Sequence, residues 1–176
     1  MSRKENLKEL QSRLAQRLAQ ANEAGSAATW LAVRLGQMNA LFALTQAGEI
    51  FKPVALTPLP YVAWWFAGVA NLRGTLYGVL DLAGFLQQVP ERSLALDASA
   101  EARLLTFNAE LEINCALWVD ALLGLRREDA FVSRQAAAQG APAYWGERLT
   151  DANGEIWQEI NLRQLSQSAA FLAISG

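Results

Sequence analysis

Between Trp30 and Ile160 the apolar residues fall in short β-prone runs, broken by turn residues about every 8–12 positions. Trp30–Leu35, Ala40–Leu44, Thr75–Leu82, Ala102–Phe107, Ile113–Val119, Gly124–Arg127 and Ile156–Ile160 each read as a strand. Gly36–Asn39 supplies a turn, so the first two runs form a hairpin. Asn108–Glu112 is a polar turn between two strands, and Asp151-Ala152-Asn153-Gly154 holds Asn-Gly, the strongest short hairpin signal. This rhythm cannot build a helix bundle. It predicts an all-β barrel or sandwich.

The flanking and intervening stretches read differently. Leu7, Leu10, Leu14, Leu18 and Ala21 recur at helical spacing, so residues 3–24 form a helix. Its narrow stripe suits a helix docked on its own domain, with a partner-binding helix as the alternative. Gly25-Ser26-Ala27-Ala28 is a short linker, and Gln87–Glu101 and Ser133–Gly140 have loop composition. Pro53 to Leu72 is uncharged and nominally long enough to span a bilayer. Its prolines at 53, 58 and 60 would each cost a helix about 3 kcal/mol. It therefore reads as a buried loop-and-strand region, with no direct membrane insertion. The polar, charged N-terminus lacks the apolar run of a secretory signal, and a start methionine before a polar helix argues against a fragment.

Composition removes most chemistry. The chain has no histidine and a single cysteine, Cys115, so Ser-His-Asp and Cys-His catalysis, histidine metal sites, intrachain disulfides and four-cysteine zinc sites are all excluded. Cys115 lies in an apolar run, as a packed thiol would, and fits a reducing cytoplasm. No phosphate-binding loop, nucleophile elbow or dinucleotide fingerprint is present. Glu110/Glu112 and Glu128/Asp129 are the carboxylates close in sequence, and both pairs read as solvated turns. A small carboxylate-dependent hydrolase stays open only if the fold puts such a pair in a cleft. Residues 1–24 carry five positive and three negative groups, while the whole chain is −2. Six tryptophans are not interleaved with Lys or Arg, so they pack a core and no nucleic-acid partner is expected.

One segment stands apart. Gly68-Val69-Ala70-Asn71-Leu72-Arg73-Gly74 brackets an arginine with two glycines in an apolar setting, and Val79-Leu80-Asp81-Leu82 follows. A buried guanidinium needs a carboxylate partner, and Glu49 is the nearest acidic residue upstream.

These residues resemble the central signature of the CheW family of chemotaxis coupling proteins. The Trp30–Leu44 hairpin resembles the family's opening hairpin, and Ala47-Gly48-Glu49-Ile50 its glutamate-aliphatic segment. Leu117-Trp118-Val119-Asp120 with Gly124-Leu125 resembles its second-barrel strand, and Gly154–Leu165 its closing strand and short helix. The likeness spans about residues 29–165. Two departures stand out: Gly78 where the family usually has proline, and Asn161 where aspartate is common. Trp64-Trp65-Phe66 resembles members serving chemotaxis-like systems that control type IV pili and twitching motility. Those aromatics either anchor a partner or cap a barrel.

The resemblance implies two interlocked five-stranded SH3-like β-barrels over residues 29–176, with residues 1–28 and the 87–101 loop as additions. It implies a non-catalytic adaptor without cofactor or metal, in the cytoplasm with receptor arrays at the inner membrane. The implied partners are the regulatory domain of a CheA-type histidine kinase and the cytoplasmic tip of a methyl-accepting chemoreceptor. The implied partner-binding residues are Glu49, Ile50, Gly68, Asn71, Arg73 and Gly74, with Glu49 and Arg73 in a salt bridge. A regulatory domain of a larger kinase is the other reading that the resemblance permits.

Overall fold

The structure is a computed structural model and describes residues 8–15, 28–94 and 100–173. Residues 8–15 form helix α1. The strands are β1 (Trp30–Leu35), β2 (Met38–Ala43), β3 (Ala47–Phe51), β4 (Phe66–Leu72), β5 (Thr75–Asp81), β6 (Arg103–Phe107), β7 (Cys115–Val119), β8 (Ala121–Arg126), β9 (Phe131–Gln135), β10 (Trp145–Asp151) and β11 (Ile156–Ile160). Three short helices complete the order: α2 (Leu82–Phe85), α3 (Leu162–Gln167) and α4 (Ala169–Leu172).

The strands make two sheets. Sheet I has six, in the order β8-β1-β2-β11-β10-β9, and sheet II has five, β3-β6-β7-β5-β4. The chain opens in sheet I, builds all of sheet II, and returns to finish sheet I, so the two units interlock. The expected all-β fold is present, with one strand more than two sets of five. That strand is β9, which takes Ser133–Gln135 from the stretch expected to be loop. Its polar composition hid it, because an edge strand exposes most of its side chains. No backbone pairing closes either sheet among the described residues. Side chains draw the edges together instead. Leu123 of β8 and Phe131 of β9 pack with Trp30, Leu149 and Trp157.

Strands shared between cores explain the continuous apolar runs. In β7, Cys115, Leu117 and Val119 face one cluster while Ala116 and Trp118 face another. In β1, Leu31, Val33 and Leu35 face the first cluster, while Trp30 and Ala32 face the group inside sheet I. A strand buried on both faces reads as a run rather than an alternation. The largest cluster lies between the sheets, with Phe42, Leu80, Leu105, Leu117, Ile160 and Leu165 fully buried. Truncating such a leucine to alanine costs about 2–5 kcal/mol. Cys115 is a lone buried thiol in this core, and desolvation pushes its pKa up to about 12.

Several local expectations shift. The first turn is Gly36-Gln37 alone, since Leu35 pairs with Met38. Strands β3 and β10 interrupt stretches without a clear period-two pattern. The 52–65 segment is mostly at the surface rather than buried, with Tyr61 90% exposed, because its prolines keep it out of regular pairing. Trp65 and Phe66 turn inward, and Trp65 meets Phe85 edge to face at 5.0 Å. The described residues of α1 are all exposed, including Leu10 and Leu14 of the expected docking stripe. The remainder of the expected 3–24 helix, residues 25–27 of the linker and residues 95–99 lie outside the described residues. No helix among the described residues is long and apolar enough to cross a membrane.

Candidate functional site

The β4–β5 hairpin turns in two residues, since Leu72 pairs with Thr75 across Arg73-Gly74. Arg73 has φ +51° and Gly74 φ +84°, the pattern of a type I′ turn, whose twist matches that of the strands. Gly74 meets that demand without strain, whereas Arg73 is a non-glycine residue held in the left-handed region. Asn71 Oδ1 accepts the Gly74 N–H at 2.8 Å and fixes the turn from its own strand.

The tip of this hairpin lies over β3, the opposite edge of sheet II. Arg73 Nη1 donates to Glu49 Oε2, and its guanidinium sits 5.1 Å from the centroid of Phe51. Glu49 is aimed by a bulge: pairing with β6 shifts between Ala47 and Ile50. Its backbone N–H donates to Thr106 Oγ1 at 2.8 Å. Gly48 is required there because a Cβ would fall 2.4 Å from the Phe107 carbonyl.

Both charged groups are open to solvent, with side chains 73% exposed for Arg73 and 60% for Glu49. The apolar setting suggested by the neighbouring residues is therefore corrected. Leu72 and Ala70 point into the core, and the turn lifts Arg73 clear of it. An exposed pair of this kind contributes about 0–1 kcal/mol to stability. Beside it runs a groove of about 340 Å³, lined by Glu49, Phe51, Arg73, Tyr77, Glu112 and Asn114 among others. Glu49 and Glu112 are the acids at this groove, and both are exposed. Neither has the desolvated setting that a carboxylate general acid requires. Glu128 and Asp129 are exposed and paired with Arg134 and Arg127.

Of the six candidate residues, Glu49, Asn71, Arg73 and Gly74 converge, and Ile50 lies beside Glu49 with 43% exposure. Gly68 is apart, at the other end of β4. Its φ of +132° and a Cβ position 2.3 Å from the Thr57 carbonyl let the 52–65 segment bridge to Val69. Sequence reasoning missed Phe51, though its i+2 spacing from Glu49 signals a shared face. It also missed Leu76, which pairs with Asn71 and is 62% exposed.

A second ionic cluster has no sequence signal. Arg92 donates through Nε and Nη2 to both Asp81 oxygens at 2.8 Å, and Nη2 also reaches Asp120 Oδ1 at 2.8 Å. Asp81 hydrogen bonding and nearby charge hold the Arg92 guanidinium more firmly protonated than usual, against the opposing effect of burial. The loop carrying Arg92 is thus tied into the fold rather than merely added to it. The two departures are also accounted for. A Cβ on Gly78 would meet the Phe66 ring at 2.9 Å, and the Gly78 N–H, which proline would lack, donates to the Asn114 carbonyl. Asn161 caps α3 by accepting the Gln164 N–H, a task that aspartate also performs.

Comparison with known proteins matches residues 29–170 to the family described as CheW-like domain. Protein PilI of Pseudomonas aeruginosa is 30% identical over 114 residues, which cover 65% of this chain and 61% of that protein. The chain thus spans less than two thirds of that relative. The crystal structure of the scaffolding protein TtCheW from Thermoanaerobacter tengcongensis superposes with a TM-score of 0.59 at 17% identity, covering 81% of this chain and 94% of that one. That likeness concerns the fold.

Proposed function

The chain belongs to the CheW-like domain family, and we propose that it is a non-catalytic adaptor coupling a methyl-accepting chemoreceptor to a CheA-type histidine kinase. The observation that carries this reading is the exposed Glu49–Arg73 pair on a two-residue type I′ turn. Such a pair adds little stability, while its turn holds a cation, a carboxylate and an aromatic ring in fixed geometry for another chain. In this reading the groove beside Arg73, with Ile50 at its side, receives the helical cytoplasmic tip of the receptor. The kinase regulatory domain binds one face of a barrel, and receptor state biases kinase activity through these shared contacts. The similarity to PilI supports a place in a chemotaxis-like system controlling type IV pili and twitching motility. The protein would then act in the cytoplasm, at receptor arrays on the inner membrane, with no cofactor.

Affinity purification from the native cell tests this. Recovery of a chemoreceptor and a histidine kinase with the unaltered chain, and their loss with Arg73→Glu, is the expected result. Retention of both partners by a folded Arg73→Glu variant overturns the role of the pair. Failure to recover either partner with the unaltered chain overturns the coupling function.

A further inference from the structure

The segment after α2 leaves sheet II and crosses to sheet I. Backbone bonds from Gln87 to Gly84 and from Gln88 to Ala83 hold its start, and Gln87 turns with φ +58°. From Val89 to Arg92 it makes no such bonds among the described residues. Among the described residues, two contacts hold this stretch. Val89 and the Gln88 carbonyl lie over Gly36, where a Cβ would come within 2.9 Å of each. Arg92 then reaches Asp81, which is 1% exposed at the end of β5, and Asp120 in the one-residue link from β7 to β8. Asp120 completes the chain by accepting the Gly36 N–H at 2.6 Å. One guanidinium thus serves two carboxylates, one from the core of sheet II and one bonded to the first turn of sheet I.

This stretch also borders a groove of about 780 Å³. Gln88 and Gln37 line it together with Asn39, Gln135, Arg148 and Gln158 of sheet I. Because residues 87, 88, 90 and 91 are exposed, the apolar packing of the segment after the buried Leu86 comes, among the described residues, from Val89. We propose that residues 87–92 form an electrostatically latched strap, with Arg92 as the latch, and that its closure sets the width of the groove bordered by Gln88 and Gln135. Unlatching frees the strap from the Gly36 turn while both sheets keep their shared apolar core.

Spin labels at Gln88 and Gln135, both exposed, report the groove width by electron–electron distance measurement. A single narrow distribution is expected for the otherwise unaltered chain, and a broadened or longer one after Arg92→Met. The Gly36 amide is expected to exchange on the order of tenfold faster, as fits the loss of about one hydrogen bond, while Val69 in sheet II keeps its protection. Arg92→Met also strands a buried carboxylate, so Arg92→Met with Asp81→Asn carries the test if the single variant fails to fold. An unchanged distance distribution in the folded variant overturns the strap. So does a rise in exchange that is uniform across both sheets, which would make Arg92 a general stabiliser.

Discussion

Arg73 and Glu49 stand at opposite edges of one five-stranded sheet and nevertheless form an ion pair. Sheet II is joined there by side chains, at the point where its backbone pairing leaves both edges open. Direct coupling has a thermodynamic signature. In a double-mutant cycle with Arg73→Glu and Glu49→Arg, partner affinity lost in each single variant is expected to return in part in the double variant. The same cycle in thermal unfolding should show less than about 1 kcal/mol, since the pair is exposed. Strict additivity in binding removes the direct contact.

Arg73→Asn separates stability from binding. Asn-Gly is the favoured type I′ sequence, so the turn loses its strained arginine and stability should hold or rise by a few tenths of a kcal/mol. Partner binding is expected to fall because the guanidinium is gone. Calorimetry beside a binding titration reads both, and a variant that binds normally would show that the turn shape is enough.

Gly68→Ala should be among the most damaging single changes outside the core. Its backbone lies at φ +132°, and the added methyl would meet the Thr57 carbonyl. A loss of about 2 kcal/mol or more in chemical denaturation is expected, with detachment of the 52–65 segment. Gly74→Ala faces no such clash and should cost less.

Cys115 should behave as a reporter of unfolding. Burial raises its pKa from 9.0 to about 12, so the native thiol stays protonated and shielded. Because the folded value is raised, this group's contribution to stability is complete below about pH 9 and declines as pH rises towards 12. A thiol-specific dye at pH 8 is expected to label it only as the chain unfolds. Rapid labelling of the native protein would contradict its place in the core.

The β10–β11 hairpin carries an acid-sensitive contact. Burial raises the Asp151 pKa, but hydrogen bonds from Trp157 Nε1 and the Asn153 and Glu155 amides, with Arg126 nearby, outweigh it and hold the carboxyl below its usual 3.8. A depressed value stabilises the fold above about pH 3.8 and is lost as pH falls further. The indole N–H resonance of Trp157 should move in that range, and Asp151→Asn should abolish the movement.

How much was legible differs by element. β1, β7 and β11 announced themselves, because their apolar runs are set by burial on one or both faces. β9 and β10 did not, since an exposed edge strand and its neighbour have no reason to be apolar. The N-L-R-G segment identified the hairpin tip, but its glycines and leucines gave no hint that the arginine faces water. Sidedness at a turn depends on φ, and only Gly74 signals it in the sequence. Arg92 was wholly illegible. Its partners lie 11 and 28 residues away, and nothing local distinguishes a clamped arginine from a solvated one.

The sequence by itself determined the β class, the main turns and the packed thiol, because periodicity, turn chemistry and residue type are local properties, while the candidate pair came from the family resemblance. Tertiary structure alone decided that the largest core lies between the sheets and that the pair is exposed. It also decided which acids share Arg92. Those outcomes depend on how separate strands pack, and strand-to-strand distance is not written in the spacing of residues along the chain.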